Sequence, residues 1–436
     1  MEKIKSVAAF TLGCKVNQYE TEAVLEQFTK NGCEIVDFGK FADVYIINTC
    51  TVTSLGDRKS RQMIRRAKQL NPNAVLAVMG CYAQTAPDDI LKIPEVDIVM
   101  GTNKRLKAYD EILNFCKTHT RKSLVEDIFK VKEFEELSIT HIENKSRAFL
   151  KVQEGCNRFC TYCIIPFARG NLRSRSLENS VSEARRLAAE GFSEIVLVGI
   201  HLASFGLENG KPELLELIEK IAEIPEIKRL RLGSLEPLIF DEEFTKKCAS
   251  VPKLCRHFHL SLQSGCTQTL KRMNRRYTAE EYALCVERIR KLMPKAAITT
   301  DIMVGFPGET DEEFNETLDF VRKIKLSDAH VFKYSQRKGT KAAVFPNQVD
   351  PKIKEERSKK LIALCSELRN EYVSSFLNKE IKVLFEQETE PGIFEGKTEN
   401  YVTVKVKSDT DISGKILNVK TTACENDVLY GVLAES

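Results

Sequence analysis

Short apolar runs alternate with amphipathic helical segments from residue 7 to residue 334, a rhythm that commits most of the chain to parallel sheets covered by helices. In a first block, residues 1–135, the runs lie at 7–10, 44–47 and 75–79, with helical patterns at 20–31 and 60–70 between them. Runs this uniformly apolar suit strands buried on both faces, so the block predicts an open parallel α/β domain. In a second block, residues 142–370, candidate strands recur at 149–152, 195–198, 230–232, 258–262, 298–304 and 331–334. Repeated βα units of this kind predict a partial (β/α)6 barrel. A charged helix over 352–371 leads to a third block, 371–436, with alternating strands at 381–385 and 401–406 and turns at Pro391-Gly392 and Ser413-Gly414. That pattern predicts a small antiparallel β-barrel.

The reactive residues gather where strands end. Cys156, Cys160 and Cys163 follow the first strand of the second block in the run Glu-Gly-Cys-Asn-Arg-Phe-Cys-Thr-Tyr-Cys. A cubane iron–sulfur cluster is normally held by four thiolates, so three leave one iron open to an exchangeable ligand. A structural zinc site would need a second Cys pair or a His pair nearby, and the next cysteine is Cys248. A disulfide framework suits a short secreted chain, whereas this one has 436 residues and no hydrophobic leader.

The first block repeats the arrangement. Cys14, Cys50 and Cys81 each lie just past one of its three candidate strands. Parallel strands end on one side of a sheet, where open α/β folds bind ligands, so the three thiols converge there. Gly13 and Gly80, which precede two of them, allow the backbone to approach a bulky ligand. A second three-thiolate site is expected. Of the fourteen cysteines, Cys33, Cys116, Cys248, Cys255, Cys285, Cys365 and Cys424 sit in ordinary amphipathic contexts and read as small buried hydrophobes.

Polar residues mark the other strand ends of the second block. They are Gly199-Ile200-His201, Ser234-Leu235-Glu236-Pro237, Gln263-Ser264-Gly265, Gly305 with Pro307-Gly308-Glu309, and Ser335-Gln336. Singly each reads as a turn; together they line one rim. His257 and His259 read as plain strand residues. No run of about eighteen apolar residues is present to span a membrane, and the expected location is the cytoplasm. The net charge of +4 neither demands nor excludes nucleic acid. Basic clusters occur at Arg58-Lys59-Ser60-Arg61 with Arg65-Arg66, and within 169–175, 271–276 and 333–341, several of them past strand ends where phosphates could be met.

The cysteine triplet with Tyr162 beside its last member, on the first strand of a partial barrel, resembles the radical S-adenosylmethionine superfamily. With Cys14, Cys50, Cys81 and the terminal barrel, the whole chain resembles the methylthiotransferases, which join a methylthiotransferase domain, a radical-SAM domain and a TRAM domain. His-Leu-Ser-Leu-Gln-Ser-Gly, Lys-Arg-Met-Asn-Arg-Arg-Tyr and Asp-Ile-Met-Val-Gly-Phe-Pro-Gly-Glu-Thr are similar to family motifs. The run from Thr11 to Glu22 is most similar to the subfamily that acts on N6-threonylcarbamoyladenosine next to the tRNA anticodon.

The resemblance implies two 4Fe–4S clusters, on Cys156/Cys160/Cys163 and on Cys14/Cys50/Cys81, together with S-adenosylmethionine. It implies a radical that takes hydrogen from position 2 of the adenine, and methylthio transfer using two S-adenosylmethionine molecules. Tyr162, His201, Ser234, Glu236, Gln263 and Arg275 are then the candidates to bind that cofactor, with Arg275 or Arg276 placed to grip a carboxylate. A tRNA anticodon stem-loop and a flavodoxin- or ferredoxin-type reductant are the expected partners, with no DNA. TRAM domains are usually assigned to RNA binding, yet the segment from residue 371 holds twelve acidic residues against seven lysines and no arginine. Most phosphate neutralisation is therefore expected from the first two blocks. Sister enzymes acting on isopentenyladenosine or ribosomal protein S12, and a non-catalytic iron–sulfur RNA-binding or redox-sensing protein, remain as alternatives.

Overall fold

The computed structural model describes residues 4–139 and 146–434. Its first sheet contains β1 (Ser6–Thr11), β2 (Glu34–Ile35), β3 (Val44–Thr49), β4 (Val75–Gly80), β5 (Ile98–Val99) and β6 (Lys122–Ser123), in the order β2-β1-β3-β4-β5-β6. Every neighbouring pair is parallel. The central strand β3 is buried at all six positions, which is why its sequence shows no polar alternation. Its period of two still sorts the side chains. Tyr45 and Ile47 pack under the helix Ser54–Leu70, whereas Val44 and Ile46 meet Val24 and Phe28 of the helix Lys15–Lys30. Each fully buried Ile contributes about 1.5–3 kcal/mol. The three predicted strands are present, and the short β2, β5 and β6 flank them.

The second block forms two four-stranded sheets. One holds β7 (Arg147–Glu154), β8 (Arg173–Ser174), β9 (Glu194–Gly199) and β10 (Arg229–Leu232) in the order β10-β9-β7-β8. The other holds β11 (Ser234–Leu235), β12 (His257–Leu260), β13 (Ala297–Val304) and β14 (Asp328–Lys333) in sequence order. Six of these are the predicted barrel strands; β8 and β11 are short additions, β8 running antiparallel to β7. The barrel wall is interrupted between β10 and β12, and Leu230 carries it across. Its amide donates to the carbonyl of Lys253 at 2.7 Å, and its carbonyl accepts from the amide of Cys255 at 2.8 Å. The helices Ala279–Leu292 and Asp311–Ile324 open on capping boxes, Thr278 with Glu281 and Thr310 with Glu313, each worth about 1 kcal/mol.

The third block is a closed barrel of β15 (Glu380–Glu390), β16 (Ile393–Thr398), β17 (Thr403–Lys407), β18 (Ile416–Glu425) and β19 (Val428–Leu433), ordered β15-β16-β17-β19-β18. Four pairings are antiparallel, as expected, but β17 and β19 run parallel. The chain leaves β17, crosses to pair β18 with β15, and then turns back tightly at Asn426 and Asp427. Their φ values of 47° and 62° suit residues that tolerate the left-handed region. That return lays β19 beside β17 and removes the open edge.

The three blocks pack on one another. Val16, at the start of the helix Lys15–Lys30, joins Val196 and Val198 of β9 in a small core. The helix Pro351–Ser374 serves two cores: Leu361, Leu364 and Cys365 pack on the second block, while Val373 belongs to the core of the third. The third block covers the amino ends of the barrel strands, where Asn400 donates to the carbonyls of Arg256 at 3.1 Å and Lys295 at 2.7 Å. Of the cysteines read as small hydrophobes, five are buried and Cys116 and Cys424 are half-buried. No helix among the described residues is long and apolar enough to cross a membrane.

Candidate active site

Strand register gathers the first cysteine set. In the β3–β4 ladder Thr49 is paired with Gly80, so Cys50 and Cys81, the next residue on each strand, leave the sheet side by side. Cys14 enters from β1, on the other side of β3, as the residue preceding the helix Lys15–Lys30. The glycines have a tighter purpose than admitting a ligand. At Gly13 (φ 110°) a Cβ would lie 2.9 Å from Asn17 Nδ2 and 3.2 Å from the Cβ of Cys50. At Gly80 (φ 98°) it would sit 2.3 Å from Asn48 Oδ1. Both positions let the strand ends close on each other, which is what brings the thiols together.

The second set lies on the loop after β7. The amide of Cys156 donates to Gly170 O at 3.0 Å, that of Cys163 to Cys160 O at 2.9 Å, and that of Thr161 to Met273 O at 3.0 Å. In each set the thiols act on one another: Cys14 and Cys50 raise the Cys81 thiol, and Cys160 and Cys156 raise Cys163. Burial is the larger cause, pushing both up to about 12. Thiols so placed become thiolates when a positive centre binds them.

Among the described residues, no group of three or more His, Cys, Asp or Glu side chains is arranged to hold a single metal ion. A cubane does not require one, because each of its thiolates binds a different iron. Three mutually interacting thiols fit such a cluster, and among the described residues neither set has a fourth. Each set also has one arginine against a sulfur. Arg169 Nε donates to Cys81 Sγ at 3.2 Å, and an Nη of Arg275 donates to Cys160 Sγ at 3.3 Å. Such hydrogen bonds favour the charged thiolate and tune a cluster's potential.

Arg169 comes from the second block and is fully buried, with Glu20 and Arg105 of the first block and Lys151 and Glu154 of the second. It pairs with Glu20 at 2.6 Å and Glu154 at 3.1 Å, and donates to Asn17 at 2.5 Å. Lys151 meets Glu20 at 2.7 Å and also Glu154, while Arg105 meets Glu20 at 2.8 Å and Glu135 at 2.6 Å. Three cations thus face three carboxylates across the boundary between the blocks. Burial opposes ionisation of Glu20 and Glu154, but the surrounding cations outweigh it, lowering the Glu20 carboxyl and holding that of Glu154 well below the carboxylate range. This overturns the reading of residues 169–175 as a phosphate-facing run, since Arg169, Arg173 and Arg175 are all buried.

The polar rim residues fall into two groups. His201, Glu236 and Arg275 come together beside Cys160. Glu236 accepts from Arg158 at 2.5 Å and lies 3.3 Å from His201 Nε2 and 3.7 Å from Arg275. Burial works against its charge, yet the His201 hydrogen bond with Arg158 and Arg275 brings its carboxyl down to about 2. Arg275 also donates to Tyr277 at 2.9 Å, so it is engaged by protein groups, whereas Arg276 is exposed. Tyr162 and Gln263 line a separate cavity of about 230 Å3 with Cys163, Val52 and Thr53, the last two just past Cys50. Ser234 is in neither group; its hydroxyl meets Ser261 at 3.1 Å and faces the barrel interior. Ser264 hydrogen bonds Thr317 at 3.2 Å, and Glu309 accepts from Gly305 at 3.0 Å and Arg357 at 2.6 Å, so both support their loops.

A cavity of about 690 Å3 occupies the barrel interior and adjoins the smaller one, the two sharing Asp301 and Phe332. Cys14 and Lys15 form part of its wall, and Tyr401 and Lys397 of the third block another. His257, His259 and His330 line it, so His257 and His259, read as plain strand residues, also face a cavity. His259 lies 3.4 Å from Asp301 Oδ2, and His257 stacks on Tyr401 with ring centroids 5.0 Å apart. Partial desolvation, then Arg231 and Arg147, pull the Lys15 ammonium down to about 8, although the side chain keeps contact with solvent. The signal for this lining was in the sequence: polar residues at every second position of β12 to β14, at 257 and 259, 299 and 301, and 328 and 330. Barrel interiors are ordinarily filled by branched apolar side chains, so that alternation marks a binding face.

Two basic clusters meet at one edge of the smaller cavity. Arg337 pairs with Asp57 at 2.5 Å, and Ser335 Oγ accepts from the amide of Ser54 at 3.2 Å, tying the loop after β14 to the helix Ser54–Leu70. Arg58, Lys59, Lys338 and Lys341 are exposed around this junction, as are the apolar Val52, Leu55 and Val344.

Comparison with known proteins agrees with this geometry. A family model described as Radical SAM superfamily matches residues 150–321, and one described as Uncharacterized protein family UPF0004 matches residues 6–101. The chain is 44% identical over 95% of its length to the threonylcarbamoyladenosine tRNA methylthiotransferase MtaB of Bacillus subtilis, covering 93% of that protein. It is 40% identical to the MtaB of Aquifex aeolicus, over 95% of this chain and 99% of that protein. The tRNA-2-methylthio-N(6)-dimethylallyladenosine synthase of Caldicellulosiruptor saccharolyticus is 36% identical, over 98% of this chain and 92% of that protein. Among solved structures, the radical S-adenosylmethionine methyltransferase TsrM from Kitasatospora setae superposes with a TM-score of 0.58, covering 78% of this chain and 77% of that one at 16% identity, a likeness of fold.

Proposed function

Because the chain belongs to the methylthiotransferase family of radical S-adenosylmethionine proteins, we propose that it inserts a methylthio group at position 2 of N6-threonylcarbamoyladenosine beside the tRNA anticodon. The observation that carries this reading is the pair of cysteine sets, each with an arginine on one sulfur, bordering two adjoining cavities in one barrel. When loaded, a 4Fe–4S cluster with S-adenosylmethionine at Cys156, Cys160 and Cys163 supplies a radical able to take hydrogen from an aromatic carbon, and a second cluster at Cys14, Cys50 and Cys81 supplies the sulfur.

The protein's own residues position, charge and shield. Arg275 donates to the Cys160 sulfur and is itself fixed by Tyr277 and Glu236. Glu236, ionised and steadied by Arg158 and His201, would accept from the amine or ribose hydroxyls of S-adenosylmethionine. Tyr162 packs at 6.5 Å from Phe306 and, with Gln263, walls the cavity next to Cys163 against water. The ring of basic residues around Arg58, Lys59, Lys338 and Lys341 would take the phosphates of the stem-loop, and the exposed Val52, Leu55 and Val344 would meet splayed bases. A small redox protein of the flavodoxin or ferredoxin type would deliver the electron in the cytoplasm.

The threonylcarbamoyl substrate is favoured over the dimethylallyl one by the higher identity to the two relatives named for it. Nucleoside mass spectrometry of tRNA from a strain lacking this chain tests the reading. Loss of 2-methylthio-N6-threonylcarbamoyladenosine supports it; loss of the dimethylallyl counterpart, with the former intact, overturns it.

A further inference from the structure

The larger cavity is lined by cations from all three blocks, Lys15, Arg369 and Lys397. Arg369 pairs with Asp328 and with Asp427 at 3.2 Å, and Lys397 donates to Thr403 Oγ1 at 2.6 Å. Lys15 is different. Among the described residues its ammonium has no hydrogen bond and no ion pair. It lies instead between two rings, 5.9 Å from the centroid of Phe149 and 5.7 Å from that of Tyr401. Glu194, whose field reaches it, is already held by Arg147 at 3.3 Å and Arg231 at 2.9 Å. The rings locate the ammonium without neutralising it, and an ammonium has three protons to donate. His257, stacked on the same Tyr401, adds a second unmet group, because its Nδ1 is buried with no partner. Lys15 also directly follows Cys14, so its charge lies in the cavity that the first cysteine set borders.

Resting on the substrate reading above, we propose that Lys15 is a specificity-determining residue that receives the carboxylate of the threonylcarbamoyl side chain. A threonine joined through its nitrogen to a carbamoyl group keeps a free carboxylate, and a cation already standing in the cavity offsets what that carboxylate loses in hydration on entering. A dimethylallyl group is wholly apolar, and on entering it would leave Lys15 and His257 unpaired in a drier cavity. The site thus attracts one side chain and penalises the other. Of the two arginines considered for a carboxylate, Arg275 is occupied by Cys160, Tyr277 and Glu236, and Arg276 is exposed and lines neither cavity.

The test uses the reconstituted holoenzyme and three anticodon stem-loops that differ only in carrying threonylcarbamoyladenosine, dimethylallyladenosine or adenosine. Fluorescence anisotropy gives the affinity of each, and the readout is the ratio between loops within one variant, which cancels any loss of folded protein. The wild type is expected to prefer the threonylcarbamoyl loop about ten- to a hundredfold. Lys15→Met should lose most of that preference, and Lys15→Arg should keep it. A Lys15→Met protein with the wild-type ratio overturns the inference and leaves the substrate reading standing. A wild type with no preference for the threonylcarbamoyl loop overturns the substrate reading, and the inference with it.

Discussion

Replacing Arg169 by Met should damage stability and one cluster together, and its size can be worked from the network. Arg169 is fully buried and donates to both oxygens of Glu20, to Glu154, to Asn17 and to Cys81. Without it, Arg105 and Lys151 remain against Glu20, Glu154 and Glu135, so one uncompensated negative charge is left in the interior. Removing one partner of a buried ionic group costs about 3–5 kcal/mol. In a chain of this size that corresponds to a fall of roughly 3–6 °C in the unfolding midpoint.

Arg169→Lys keeps the charge but loses the planar fork, and should fall between the two. Arg169→Met combined with Glu20→Gln removes charge in a balanced pair and should recover part of the loss, a coupling read from the double-mutant cycle. The assays are anaerobic thermal unfolding, iron content and the electron paramagnetic resonance of the reduced protein. Iron should fall towards that of one cluster, because Cys81 loses the charge that favours its thiolate. An Arg169→Met protein within about 1 kcal/mol of the wild type and with full iron would refute the account of this network.

Other outcomes follow from the same geometry. Cys156→Ala should abolish formation of 5′-deoxyadenosine, while Cys81→Ala should still form it and yield no methylthio product, as product analysis after reduction would show. Glu236 has its carboxyl lowered from 4.5 to about 2, so its contribution is fully present above pH 4.5 and is lost as pH falls through 2. Denaturation of the apo-protein against Glu236→Gln should therefore show a gap of up to roughly 3 kcal/mol that closes across that acid window. Arg58→Gln with Lys59→Gln should lower the slope of log affinity against log salt for an anticodon stem-loop by about 1–2. Lys405→Gln with Lys407→Gln, on the acidic terminal barrel, should leave that slope unchanged.

The sequence revealed the architecture because its strands are apolar throughout or strictly alternating, and because Cys14, Cys50 and Cys81 sit at one phase of a parallel sheet. It revealed less about partners. Arg169 and Arg175 looked like surface charge, since nothing local shows that Glu20, far away in the chain, will be folded against Arg169. Lys15 passed as one residue of a motif because its significance lies in Phe149 and Tyr401, brought to it from two other blocks. The parallel β17–β19 pair depends on a chain crossing that alternation cannot encode. The histidines of the barrel interior were legible in principle, since polar residues recur at every second position, but that periodicity equally describes a solvated sheet face.

The third block is attached in a way that bears on how it can change. Arg229 donates to the carbonyls of Lys397 at 2.9 Å and Lys382 at 2.8 Å, and Arg231 to those of Glu399 at 3.0 Å and Thr398 at 3.2 Å. On the terminal barrel the acceptors are therefore main-chain atoms, which every amino acid supplies alike. Its outward side chains can drift, exchange sign or adapt to a different RNA without disturbing this part of the seam. Tyr401, Asn400, Glu386 and Asp427 are held back from that freedom, because their side chains meet the second block, Glu386 at Arg147 and Asp427 at Arg369. The acidic surface of this block can thus be a record of what it has met in solution, while its seat on the barrel stays fixed.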